Sequence, residues 1–158
     1  MRLLALATLS SLALVSCSPS GDTEIEASEV AAPPPTLAGV DLSQPVRALG
    51  TEPFWSLELN GTDMVYTSPE PGELRAAQPA AVVQGTVTMF EAATADGQPM
   101  NVTLTATECS DGMSDRTYPL TALVEMGERT LTGCAASTAA IMSAGESGPV
   151  VTPAQPAG

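Results

Sequence analysis

Apolar side chains in this chain recur at every second residue, which is the spacing of β-strands that bury one face. One run carries three large apolar residues in this pattern: Trp55, Leu57 and Leu59. The dipeptide Asn60-Gly61 follows directly and favours a tight hairpin, because both residues accept positive φ. A two-residue turn predicts these opposing pairs: Leu59 with Thr62, Leu57 with Met64, and Trp55 with Tyr66.

The same alternation continues through the second half of the chain. Val87 and Met89 share one face of a β-prone run over 83–91, and Asp96-Gly97 marks a turn. Two longer apolar faces follow: Met100, Val102, Leu104 and Ala106, and then Tyr118, Leu120, Ala122, Val124 and Met126. A turn at Gly127-Glu128 would set Val124 opposite Leu131. Short antiparallel strands without a convincing helix predict an all-β fold, a small barrel or sandwich flanked by disordered segments.

The N-terminus has the features of a secretory signal peptide over residues 1–16, since Arg2 precedes a short apolar run that ends in small residues. Leu14-Val15-Ser16-Cys17 matches the bacterial lipobox, whose Cys receives a diacylglycerol. An ordinary signal peptide with a chance Cys is the alternative. Several acyl chains on Cys17 would suffice for stable anchoring. Ser18 follows it, and a residue other than Asp there favours the outer membrane in enterobacteria-like sorting. We therefore expect an outer-membrane lipoprotein with its domain in the periplasm.

The composition divides the remaining chain into three parts. Residues 17–45 are rich in Ser, Glu, Ala and Pro, which predicts an extended tether behind the lipidated Cys. All five aromatic residues fall within 46–135, the predicted all-β domain. Residues 136–158 have no aromatic residue and one charge, so we expect a disordered tail, with a short helix near 139–144 as the alternative.

The three cysteines are consistent with an exported protein. If Cys17 carries the lipid, Cys109 and Cys134 are the two cysteines that remain. In an oxidising compartment these two are expected to form a disulfide. Free or metal-binding thiols are the alternative, although the chain has neither a CxxC spacing nor a His.

Charge excludes several classes of function. The chain has five Arg, eighteen Asp and Glu, no Lys and no His, which gives a net charge of −13. The composition argues against nucleic acid as a partner, because five scattered arginines make no phosphate-neutralising stripe and the net charge repels nucleic acid at long range. Ser-His and Cys-His catalysis is impossible without His. The acidic surface instead favours a basic protein partner.

Two segments stand out against the Ala, Thr and Pro background. The entry motif spans residues 50–55 and reads GTEPFW, and the disulfide loop spans residues 109–119 and reads CSDGMSDRTYP, with Gly133-Cys134 downstream. The candidate binding residues lie in this loop: Ser110, Asp111, Gly112, Met113, Ser114, Asp115, Arg116 and Tyr118. In a functional interpretation the loop presents Asp111, Asp115 and Arg116 to a partner.

A structural interpretation of the same loop is also open. Asp111-Gly112 would form a tight turn, serine side chains would cap backbone amides, and Asp115 would pair with Arg116 or Arg129. A calcium site from Asp111 and Asp115 is a third reading, but the EF-hand spacing is missing. We expect Trp55 to lie in the core.

The entry motif and the disulfide loop resemble those of a family of uncharacterised bacterial envelope proteins, many of them lipoproteins, over residues 47–135. This resemblance implies an envelope location and no particular activity. The size, lipid anchor and β character also resemble periplasmic inhibitors of c-type lysozyme, at the level of the fold.

Together these features predict a lipoprotein whose small β domain binds a periplasmic partner non-covalently. The alternatives are a lysozyme-inhibitor-like protein and a structural or stress-related envelope lipoprotein. We expect no enzymatic activity, no cofactor and no metal.

Overall fold

The computed structural model describes residues 32–70 and 72–151. The predicted signal peptide, Cys17, most of the predicted tether and residues 152–158 lie outside the described residues, so these expectations stay predictions.

The described part consists almost entirely of β-strands. In chain order they are β1 (Thr36–Leu37), β2 (Val40–Asp41), β3 (Val46–Thr51), β4 (Phe54–Leu59), β5 (Asp63–Thr67), β6 (Glu73–Ala77), β7 (Val83–Gln84), β8 (Val87–Ala93), β9 (Pro99–Thr105), β10 (Cys109–Ser110), β11 (Asp115–Tyr118), β12 (Leu120–Met126), β13 (Arg129–Ser137) and β14 (Ser147–Pro149). One short helix, α1 (Thr138–Ser143), lies between β13 and β14.

Nine of these strands form a curled antiparallel sheet in the order β6-β5-β4-β3-β13-β12-β9-β8-β7. An isolated bridge between Ala76 and Thr94 joins β6 to the end of β8, so the sheet curls into a half-barrel. A small sheet, β10-β11-β14, lies outside this order, and β1 pairs with β2. The predicted all-β class is therefore confirmed.

Alternate side chains of the strands fill the main core. The buried residues of the long strands include Leu57, Leu59, Met64, Tyr66, Met100, Val102, Leu104, Leu120, Ala122 and Val124. Fully burying one large aliphatic side chain is worth roughly 1.5–3 kcal/mol. On β8 the buried residues are Thr88 and Phe90, so Val87 and Met89 share the outer face. The predicted period of two is confirmed in these strands.

The first hairpin has a longer connection than the sequence predicts. Leu59 pairs with Met64 and Leu57 with Tyr66, so four residues separate the paired positions. The Asn60 side chain accepts hydrogen bonds from the backbone of Thr62 (3.0 Å) and Asp63 (2.7 Å), which stabilises the wider turn. The predicted two-residue register is therefore wrong, but a shift of two keeps each side chain on its expected face.

The hairpin between β12 and β13 has the predicted register. Val124 lies opposite Leu131, and Gly127 takes a positive φ of 57° in the turn. The turn at Asp96-Gly97 is also present, with Gly97 at a φ of 83°.

The folded part extends beyond 46–135 at both ends. Leu37, Val40 and Leu42 are buried in the main core, although the sequence assigned them to the tether. Ala136, Ala140 and Val150 are buried in a second cluster with Tyr118 and Cys134, so 136–151 is not a disordered tail. The sequence does not predict these segments, because each contributes only two or three buried apolar side chains, too few for a recognisable strand pattern.

Candidate functional site

Cys109 and Cys134 form the predicted disulfide, with their Cα atoms 5.4 Å apart. It joins β10, where the disulfide loop begins, to β13 in the large sheet. Cys134 is buried in the second cluster. The loop is therefore tied covalently to the middle of the half-barrel.

The entry motif and Gly133 belong to one packing arrangement around Trp55. Gly50 lies opposite Trp55 in the β3–β4 pair, and a Cβ at Gly50 would lie 2.1 Å from the indole Nε1. A Cβ at Gly133 would lie 2.8 Å from Cζ2 of the same ring and 2.0 Å from the Leu49 carbonyl oxygen. Both positions require glycine, because a Cβ would overlap the indole at Gly50, and both the Leu49 carbonyl and the indole at Gly133. The core position predicted for Trp55 is correct.

The entry motif also contacts the disulfide loop. The Thr51 hydroxyl donates a hydrogen bond to the Asp111 carbonyl oxygen at 3.0 Å. The Glu52–Pro53 peptide bond is cis and lies in the turn between β3 and β4. The turn and the loop are therefore neighbours at one end of the half-barrel.

Asp111 organises the disulfide loop from within. Its Oδ1 accepts hydrogen bonds from the backbone of Met113 (3.0 Å) and Ser114 (2.8 Å). Its Oδ2 accepts from the hydroxyls of Ser114 (2.7 Å) and Tyr118 (3.1 Å). Burial raises the pKa of Asp111, but these four hydrogen bonds outweigh it and bring the pKa down to about 2. The carboxylate is thus ionised and fully engaged in holding the loop.

Arg116 and Tyr118 also have internal partners. Arg116 donates from Nε to the Gly145 carbonyl at 2.7 Å, which fastens the segment after α1. Burial raises the pKa of Tyr118, and Asp111 raises it further while Arg116 opposes both. No ion pair of Asp115 is present, since the one ion pair among the described residues joins Arg75 to Glu73. The predicted pairing of Asp115 with Arg116 or Arg129 is therefore wrong.

The structure separates the candidate loop residues into two groups. Asp111, Ser114, Arg116 and Tyr118 are at least partly buried and hydrogen-bonded to the protein. Ser110, Gly112, Met113 and Asp115 are exposed, and Met113 is 68% exposed. Only the second group is available to a partner without breaking the loop.

Phe54 is an exposed aromatic residue that the sequence reasoning did not select as a site. It is 58% exposed, whereas Trp55 beside it is buried. Three cavities adjoin this end of the fold, and Phe54 lines two of them. Met113 and Thr51 line the third, next to the disulfide. The sequence could have predicted this exposure, because Phe54 falls on the opposite face of the strand from Trp55, Leu57 and Leu59.

Other ligand chemistry receives little support from the described part of the chain. No group of three or more Asp, Glu, Cys or His residues that could hold a metal ion occurs there.

Within the same residues, no helix has the length and apolar character needed to cross a membrane. Comparisons with protein-family models, curated proteins and solved structures found no match.

Proposed function

We propose that this chain is an outer-membrane lipoprotein whose small β domain binds a periplasmic protein non-covalently. The binding face in this proposal is the end of the half-barrel formed by the turn at 51–54 and the exposed tip of the disulfide loop. The observation that carries the proposal is the pair of exposed apolar side chains, Phe54 and Met113, on two neighbouring rigid segments.

Exposed apolar side chains on a rigid backbone are suited to partner recognition because little backbone conformational entropy is lost when they are covered. Phe54 lies next to the turn that contains Pro53, and Met113 lies in a loop held by the Asp111 hydrogen bonds and the disulfide. Four of the five aromatic residues are buried, and Phe54 is the exception. Its exposure is consistent with an interface anchor.

Charge indicates the class of partner. The described part carries fourteen acidic residues and four arginines, and the exposed Glu52 and Asp115 lie beside the apolar pair. The net negative charge of the described part favours a basic protein and speeds its encounter at low ionic strength. The resemblance to envelope lipoproteins agrees with a periplasmic partner.

The test is capture of partners from an envelope extract by the immobilised full chain. Phe54→Ser and Met113→Ser are the informative variants, and Met89→Ser is the matched control because Met89 is 54% exposed on the outer face of β8. We expect the wild type and Met89→Ser to retain a partner that Phe54→Ser and Met113→Ser lose. All four proteins should have equal melting temperatures. Retention by all four proteins would contradict the proposed face.

Inhibition of c-type lysozyme is the second candidate, supported by the basic charge expected of the partner and by the likeness in size and anchor. It is tested directly by calorimetry with purified lysozyme and by the rate of cell-wall lysis. Binding that Phe54→Ser abolishes would select this candidate. Absence of binding at micromolar concentrations would exclude lysozyme. The remaining candidates would then be another envelope protein as partner, or a structural role in the envelope.

A further inference from the structure

A groove behind Phe54 on the outer side of β3 and β4 has a charge opposite to that of the chain. It has a volume of about 690 Å³ and its walls include Arg47, Leu49, Phe54, Arg116 and Ile141. Two of the four arginines in the described part line this groove, together with one acidic residue, Asp111. In a chain with a net charge of −13, this arrangement is a local excess of positive charge.

The two guanidinium groups keep donors that the protein does not use. Arg47 donates from Nη2 to the Ser56 hydroxyl at 3.3 Å, and its cross-strand neighbour Glu58 is hydrogen-bonded to Thr138 instead. Arg116 donates from Nε to Gly145 O, from Nη2 to Ala144 O at 3.5 Å, and to the Tyr118 hydroxyl. A guanidinium has five N–H donors, so both groups can still bind an anion.

The acidic residue in the groove does not neutralise these arginines by direct pairing. All four hydrogen bonds to the Asp111 carboxylate come from within the disulfide loop. No ion pair joins Asp111 to Arg47 or Arg116 in the described residues. Arg47 and Arg116 are both half-buried in this groove, and the lower effective dielectric there strengthens their attraction for an anion relative to that of a fully exposed arginine.

We infer that this groove binds a small amphipathic carboxylate. Its carboxylate group lies at Arg47 and Arg116, where a planar guanidinium can donate two parallel hydrogen bonds. Its apolar group lies against Phe54, Leu49 and Ile141. This site adjoins the protein-binding face and shares Thr51 and Phe54 with it, but its two arginines lie outside that face.

The experiment is an NMR titration of the ¹⁵N-labelled full chain with N-acetyl-phenylalanine, and with its uncharged primary amide as the matched ligand. We expect shifts at Arg47, Phe54 and the Trp55 indole with the acid, and binding at least about tenfold weaker with the amide. Arg47→Gln is expected to weaken binding of N-acetyl-phenylalanine about tenfold. Arg75→Gln, which removes an exposed arginine elsewhere, is expected to leave binding unchanged.

Equal binding of acid and amide, equal loss in both arginine variants, or shifts outside the groove would each overturn the inference. Absence of binding at millimolar concentrations of the acid would overturn it as well. Arg47→Lys keeps the charge but loses the planar fork, so recovery of only part of the affinity supports bidentate recognition. Capture of a protein partner does not depend on Arg47, so failure here leaves the proposed function to its own test.

Discussion

Replacing Gly133 by Ala tests whether the packing around Trp55 explains the glycines of the two motifs. The added methyl would lie 2.0 Å from the Leu49 carbonyl oxygen and 2.8 Å from Trp55 Cζ2. Ordinary contacts between such atoms are roughly 3.5–4 Å, so the Leu49 carbonyl must move by about 1.5 Å and the ring by at least about 0.7 Å. The Leu49 oxygen cannot move alone, because Leu49 pairs with Cys134 in the β3–β13 ladder.

The expected cost follows from the rigidity of these neighbours. Overpacking a well-packed core costs roughly 1–3 kcal/mol, and a clash with backbone belongs at the upper end. We expect Gly133→Ala to lower the free energy of unfolding by about 3 kcal/mol, which for a folded part of this size is a fall in Tm of about 10 °C. Against a typical total of about 5–15 kcal/mol, this loss is easily measured.

Gly145→Ala is the matched control. Gly145 is exposed, its φ is not in the left-handed region, and a Cβ there meets nothing within 4 Å. Both variants are compared with the wild type by urea unfolding followed by circular dichroism. Gly145→Ala is expected within about 0.5 kcal/mol of the wild type. If Gly133→Ala lies equally close, the close approach of Trp55 and Leu49 to Gly133 is refuted.

Three further predictions concern the disulfide loop and the anchor. The folded-state pKa of Asp111 is about 2, below its ordinary 3.8, so its ionised form contributes stability that is present above about pH 4 and lost as the pH falls towards 2. Acid titration of the unfolding free energy should show a contribution of about 1 kcal/mol after solvent screening, absent in Asp111→Asn; an identical pH profile would refute it. Replacing Cys109 and Cys134 together by Ser should cost about 3 kcal/mol because the bond closes a separation of 25 residues, and an unchanged urea midpoint would contradict this. Cys17→Ala should move the protein from the membrane to the soluble fraction and remove the lipid mass seen by mass spectrometry; persistence of that mass would rule out the predicted acylation site.

The long strands could be predicted from the sequence because their side chains obey one rule over many residues. Met100, Val102 and Leu104 alternate with polar residues, and all three are fully buried. The Gly127 turn gives the correct register because its flanking strands begin directly beside it. For the Asn60 turn the sequence predicts the wrong register, because the Asn60 side chain hydrogen-bonds two backbone amides and stabilises a longer connection.

Long-range partners could not be predicted from the sequence. Arg116 donates a hydrogen bond to the carbonyl of Gly145, which is twenty-nine positions away in the sequence. Gly145 lies in a segment for which the sequence predicts disorder. The contact between Thr51 and Asp111 spans sixty positions. Neither leaves a periodic signal, because a single hydrogen bond between distant segments constrains only the two residues that form it.

The most distinctive residues of the sequence have structural explanations in this fold. Gly50 and Gly133 accommodate Trp55, and the Asp111 carboxylate holds its own loop together. A residue that is fully engaged by its own protein has little left to offer a partner. In the function we propose, recognition therefore depends on the side chains beside these motifs that the fold leaves exposed, above all Phe54 and Met113. A mutational search that targeted Asp111 alone would measure unfolding of the loop, and would assign to binding a loss that belongs to stability.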